Sequence, residues 1–113
     1  SPLDMPTVMK SVNKTGRLIV TDTGWTTYGV SAEIVASVVE NVEIPLKSRP
    51  IRVALPDVPT PTTKSLADLL YPRAEDLARK ILESLEINYP SDLSIDNLGI
   101  PLDVPGGRFV GPF

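Results

Sequence analysis

Only two stretches of this chain have the composition of a β-strand, and a helical pattern lies between them. They are Arg17-Leu18-Ile19-Val20-Thr21-Asp22 and Pro50-Ile51-Arg52-Val53-Ala54-Leu55. Each is short, apolar and β-branched, as expected of a strand inside a parallel sheet. Strands linked through a helix run parallel and belong to a layered α/β domain. Two parallel strands alone make a poor sheet, because both outer edges keep unpaired amides and carbonyls and little core can form. The chain also opens on a helical pattern with no strand before it. The expectation is therefore part of a larger sheet, completed by preceding residues or by a partner.

The helices are marked by caps and spacing. Asp4 is placed to cap the first, with Pro6 in its first turn. Met5, Val8, Met9 and Val12 form one apolar stripe. Lys14 suits the carboxyl end, and Gly16 the position after it. The loop Thr23–Gly29 follows the first strand. A second helix is expected from about Val30 to Glu40, with Val30, Ile34, Val35, Val38 and Val39 giving it a broad apolar face and Ala32 and Ala36 allowing close approach to a sheet. The second strand ends at Pro56-Asp57-Val58-Pro59-Thr60-Pro61. Ser65-Leu66-Ala67-Asp68 has capping-box spacing and starts a short helix through Leu70. The last helix is read as starting at Pro72, with Leu77, Ile81, Leu82 and Leu85 as its buried stripe. Glu75–Arg79 and Asp76–Lys80 have the spacing of ion pairs.

From Ile87 the character changes. Asn88-Tyr89-Pro90-Ser91 breaks the helix, and residues 93–113 combine three prolines and four glycines with many apolar side chains. No helix or strand period is present, yet the stretch is too apolar for a free disordered tail. It is read as an extended arm over 87–113, lying on its own domain, 1–86, or on a partner.

Composition excludes several chemistries. The 113 residues contain no cysteine and no histidine. Thiolate and imidazole catalysis, disulfides and cysteine zinc sites are therefore out of reach. Any acid or base would be Asp, Glu, Lys or Tyr. A net charge of −3 argues against a nucleic-acid partner; Lys47, Arg49 and Arg52 read as a solvated strand edge. No run approaches the roughly 18 apolar residues of a membrane span. Ser1-Pro2-Leu3-Asp4 has no signal-peptide features, so the expected location is cytoplasmic, or an organelle matrix after removal of a transit peptide.

Three segments carry a family resemblance. Pro2-Leu3-Asp4 with Ser11-Val12-Asn13-Lys14-Thr15-Gly16-Arg17-Leu18-Ile19-Val20 resembles the "PLD…SVKKTGRLVVV" stretch of the β subunits of thiamine-diphosphate-dependent 2-oxo acid dehydrogenases. Tyr28-Gly29-Val30-Ser31-Ala32-Glu33-Ile34-Val35-Ala36 is similar to their "GGxGAEIAA" segment, with Tyr28 in place of the first glycine. Pro56–Pro61, Leu66, Tyr71-Pro72 and Glu75-Asp76-Leu77 are similar to "PDVPTP…L…YP…EDI". Asp103-Val104-Pro105 and Gly111-Pro112-Phe113 resemble a C-terminal extension of some bacterial members. Trp25, in "DTGW", is similar to a bacterial subgroup rather than the pyruvate or branched-chain enzymes, and Thr21-Asp22 stands where family members often carry acidic residues after the strand.

The resemblance implies the transketolase C-terminal fold, three layers around a mixed five-stranded sheet, of which 1–86 is the second half. It implies that thiamine diphosphate and magnesium are bound by the α subunit and the N-terminal part of the β subunit, and that no residue of this segment is catalytic, cofactor-binding or metal-ligating. The parent enzyme would oxidatively decarboxylate a 2-oxo acid and pass the acyl group to lipoamide. The implied partners are the rest of the β subunit, the α subunit and second β subunit of a heterotetramer, and in some members the subunit-binding domain of the acyltransferase core. Asp57 matches an acidic docking position of some relatives; the plainer reading is that it caps the proline turn. Glu33 either stabilises a helix N-terminus or makes an interface bond. Trp25 and Tyr28 either pack at their loop base or anchor a subunit interface. Phe109 and Phe113 are read as anchors of the arm. Two other readings stand beside this one: another thiamine-dependent enzyme, of transketolase or deoxyxylulose-phosphate synthase type, and a flavodoxin-like module binding a ligand at the strand ends Asp22-Thr23-Gly24 and Pro56-Asp57-Val58.

Overall fold

The computed structural model describes residues 2–90. Six elements follow one another: α1 (Met5–Thr15), β1 (Ile19–Trp25), α2 (Val30–Asn41), β2 (Ile51–Leu55), α3 (Lys64–Ala67) and α4 (Ala74–Ser84). The two strands pair in parallel, Ile19 opposite Ile51 and Thr21 opposite Val53, and among the described residues they form the whole sheet. α2 and α4 each pack on both strands without touching one another. They therefore lie on opposite faces, giving the three layers of an α/β domain. α1 packs against α2.

The cap of α1 is the one the sequence implies. The Asp4 carboxylate accepts from the Thr7 amide at 3.2 Å and from the Thr7 hydroxyl at 2.5 Å. At the other end Gly16 has φ 71, the left-handed conformation in which a side chain is strained. The extended segment before β2 meets this turn, with the Lys47 amide donating to the Gly16 carbonyl at 2.8 Å.

The core is small. Val12, Val38, Val53 and Leu55 are its buried apolar residues among those described. β1 is not the buried strand its composition suggests: its residues alternate between half-buried and exposed. The reason is the open sheet, which leaves β1 with a single neighbour. β1 also runs further than read, through Gly24 to Trp25. Pairing slips after Thr21 and resumes at Trp25 opposite Leu55, and the Asp22 carboxylate stabilises the irregular stretch by accepting from the Gly24 amide at 2.9 Å.

The helices differ from expectation at their starts and on their outer faces. In α2, Val38 is fully buried, but Val30, Val39 and Ala36 are exposed. Ser65 does not cap α3, which begins one residue earlier; the amides of Leu66 and Ala67 donate to the Thr63 carbonyl. Asp68 pairs instead with Arg73 at 3.2 Å. Pro72 lies outside α4, because the Asp76 carboxylate accepts from the Arg73 amide at 2.9 Å and sets the helix start after Arg73. That use of Asp76 displaces its expected pair: Lys80 turns to Glu83 at 2.7 Å, while Glu75–Arg79 forms as expected at 2.8 Å. Ile81 and Leu85, read as buried, are about two-fifths exposed for want of a covering layer.

Candidate interface at the strand ends

The carboxyl ends of β1 and β2 are joined by a compact set of hydrogen bonds. Thr26 donates from its amide and from its hydroxyl to the Leu55 carbonyl, at 2.8 and 2.6 Å. The Arg52 guanidinium donates to the Thr26 carbonyl. One residue further, the Thr27 amide donates to the Asp57 carboxylate at 3.2 Å, and the Thr27 hydroxyl donates to the other oxygen of the same group. The bonds cross from one loop to the other, so the loop after β1 is held as a fixed extension of the sheet.

Asp57 thus does not do what its place in the turn implies. Its carboxylate does not cap the proline turn, which closes through the Val58 amide donating to the Pro56 carbonyl at 2.8 Å. It clasps the neighbouring loop. Nothing in the sequence signalled this except the two consecutive threonines, 26 and 27, whose hydroxyls can reach backbone and carboxylate acceptors.

Once clasped, the loop presents its apolar groups outward. Tyr28 is fully exposed and has φ 58. A left-handed bulky residue is strained by about 1 kcal/mol, and here the strain accompanies a ring with nothing packed against it, so the loop-base reading fails for Tyr28. Gly29 allows the turn: a Cβ there would collide with the Trp25 carbonyl oxygen. Trp25 is 54% exposed and, with Asp57, Val58 and Pro59, lines an apolar cleft of about 240 Å³. Val30, the first residue of α2, and Val58 are also exposed. Glu33 stands in the first turn of α2, where its charge opposes the helix dipole, and accepts from the Ser37 hydroxyl at 3.3 Å. Ser31 is completely buried, and its hydroxyl has no hydrogen-bond partner among the described residues. Phe109 and Phe113, the remaining candidate interface residues, lie outside the described residues.

Among the described residues no group of three or more acidic side chains stands close enough to hold a metal ion. The loop carboxylates Asp22 and Asp57 are both engaged by backbone or hydroxyl donors. Among the described residues no helix is long and apolar enough to cross a membrane. The rim presents exposed aromatic and aliphatic groups around a shallow cleft.

Residues 1–77 match the family described as "Transketolase, C-terminal domain". The chain is similar to the mitochondrial pyruvate dehydrogenase E1 component subunit beta of Saccharomyces cerevisiae, 39% identical over 87 residues, and to that of Homo sapiens, 38% identical over 87 residues. Each alignment covers 76% of this chain and 24% of the relative. The Arabidopsis thaliana subunit beta-1 is 44% identical over 78 residues, covering 69% of this chain and 22% of that protein. The chain thus spans about a quarter of the length of the curated relatives it matches.

Proposed function

The chain belongs to the transketolase C-terminal domain family, and from that premise we propose that it is the assembly segment of the β subunit of a 2-oxo acid dehydrogenase. The complete enzyme would oxidatively decarboxylate its substrate and transfer the acyl group to lipoamide. This segment contributes contacts rather than a reacting group.

The observation that carries the reading is the clasped rim of Trp25, Tyr28, Val30 and Val58. A strained, fully exposed tyrosine beside a half-exposed tryptophan is unfavourable in isolation and favourable at an interface, where large rings bury much area with few rotors to fix. The open sheet supports the same reading: the unpaired edges of two strands need further strands, which the rest of the β subunit would supply. The partners are thus the rest of the β subunit, the α subunit and the second β subunit. Asp57, while holding Thr27, also places a negative charge at the rim where a basic partner domain of the acyltransferase core would dock.

Thiamine diphosphate and magnesium do not fit the described residues. Two engaged carboxylates and a tightly clasped pair of loops offer neither a ligand set nor a phosphate cradle, so those groups would be held elsewhere in the enzyme. The location is cytoplasmic or an organelle matrix, in keeping with relatives named as mitochondrial.

The test is co-assembly. The chain joined to the rest of its β subunit is expected to purify with the α subunit, and Trp25→Ala with Tyr28→Ser to weaken that association at least tenfold while leaving the circular dichroism of the β subunit unchanged. Association undiminished in the double variant would overturn the role given to the rim.

A further inference from the structure

A second surface has a different character. β2 and α4 enclose a cleft of about 260 Å³ lined by Arg52, Leu69, Tyr71, Asp76, Arg79 and Lys80 among others. Three of these are cations. The one carboxylate, Asp76, is engaged in holding the start of α4. Arg79 and Lys80 are paired with Glu75 and Glu83, but those pairs are solvent-exposed and weak enough to exchange partners. Leu69 is 81% exposed at the rim of the cleft. Cations beside uncovered apolar side chains fit a segment that alternates carboxylates with aliphatic groups.

The chain itself carries such a segment. Residues 91–113 contain Asp92, Asp96 and Asp103 against a single cation, Arg108, interleaved with Leu93, Ile95, Leu98, Ile100, Leu102 and Val104. The last described residues lead toward the cleft. Glu86 has φ 59, and the amides of Glu86 and Ile87 donate to the carbonyls of Glu83 and Leu82 at 3.0 and 2.9 Å, which closes the helix and reverses the chain. The chain then runs back along α4 until the Tyr89 ring meets the Arg79 guanidinium, 4.3 Å from the ring centre. From Ser84 to Arg79 is a return of about 8 Å at 1.5 Å per helical residue. It brings Pro90 beside a cleft-lining cation and away from the cleft at the far end of α4, where Lys14, Arg17 and Lys47 lie.

We propose that the cleft between β2 and α4 is the docking site of this chain's own residues 91–113, with the aspartates meeting Arg52, Arg79 and Lys80 and the aliphatic residues covering Leu69 and Tyr71. The assignment does not depend on the assembly reading. Docking here would make the arm part of the domain's surface.

Hydrogen exchange on the full 113-residue chain tests it. Amides of 91–113 are expected to be protected, and to exchange at least tenfold faster in Leu69→Glu with Lys80→Glu. Asp96→Lys, which changes the arm alone, is expected to do the same, and it carries the test should the cleft variant fail to fold. Arm amides that exchange at unprotected rates in the unmodified chain would overturn the proposal. So would protection unchanged by either variant, or protection lost on dilution, which would assign the arm to the cleft of a second copy.

Discussion

Among the described residues, two other than glycine adopt the left-handed conformation, Tyr28 and Glu86, and they serve different ends. Glu86 closes α4 in a position where glycine is the favoured residue. Nothing but geometry is asked of it, so Glu86→Gly is expected to raise folding stability by about 1 kcal/mol, read as a higher melting temperature, with no change in association. Tyr28 carries the same strain on a ring that projects into solvent. Tyr28→Gly is expected to stabilise the fold by a similar amount and to weaken assembly. Equal effects of the two substitutions on assembly would show that the ring is incidental. Asp4 adds a pH dependence. Its hydrogen bonds from the Thr7 hydroxyl and amide hold its carboxyl below the ordinary carboxylate value. The unfolded chain therefore takes up this proton first as pH falls, and the cap's contribution is present above the ordinary carboxylate pKa and lost as pH drops through the lower folded value. Helicity measured by circular dichroism between pH 5 and 2 should fall earlier in the native chain than the loss of the other contacts explains, and Asp4→Ala should remove that component.

At the scale of elements, stability rests on very few side chains. Val53 of β2 is one of four buried apolar residues among those described, so Val53→Ala should cost about 2 kcal/mol in denaturant unfolding. The order of elements was legible in the sequence because each has a strong local signal: Asp4 and Gly16 bracket α1, and two β-branched runs mark the strands. What was not legible depended on groups distant in the chain. The start of α4 follows from Asp76 reaching back to the Arg73 amide, which competes with the Asp76–Lys80 spacing that sequence favours. The length of β1 follows from Leu55, far along the chain, accepting from Thr26. The exposure of Ile81 and Leu85 could not be read from a stripe that is as apolar as a buried one. The rim was half legible: Trp25 and Tyr28 stood out as large rings on a glycine-flanked loop, whereas the Thr27–Asp57 clasp that holds them appears only in three dimensions.

For the molecule as a whole, these features share one physical cause. A sheet of two strands with helices on both faces has too few neighbours to bury its own apolar side chains. The uncovered positions fall on α4, on the outer part of α2 and on the clasped rim. In the loops, Thr26 donates to the Leu55 carbonyl and Thr27 to the Asp57 carboxylate. The central claim is that this surface is completed by other chains or by the rest of its own subunit. Sedimentation velocity over a range of concentrations, with the 113-residue chain alone and mixed with the α subunit and the remaining part of its β subunit, tests it most directly. The account predicts a faster-sedimenting complex in the mixture and self-association of the chain alone as its concentration rises. A chain that stays monomeric at every concentration and sediments unchanged in the mixture would contradict it.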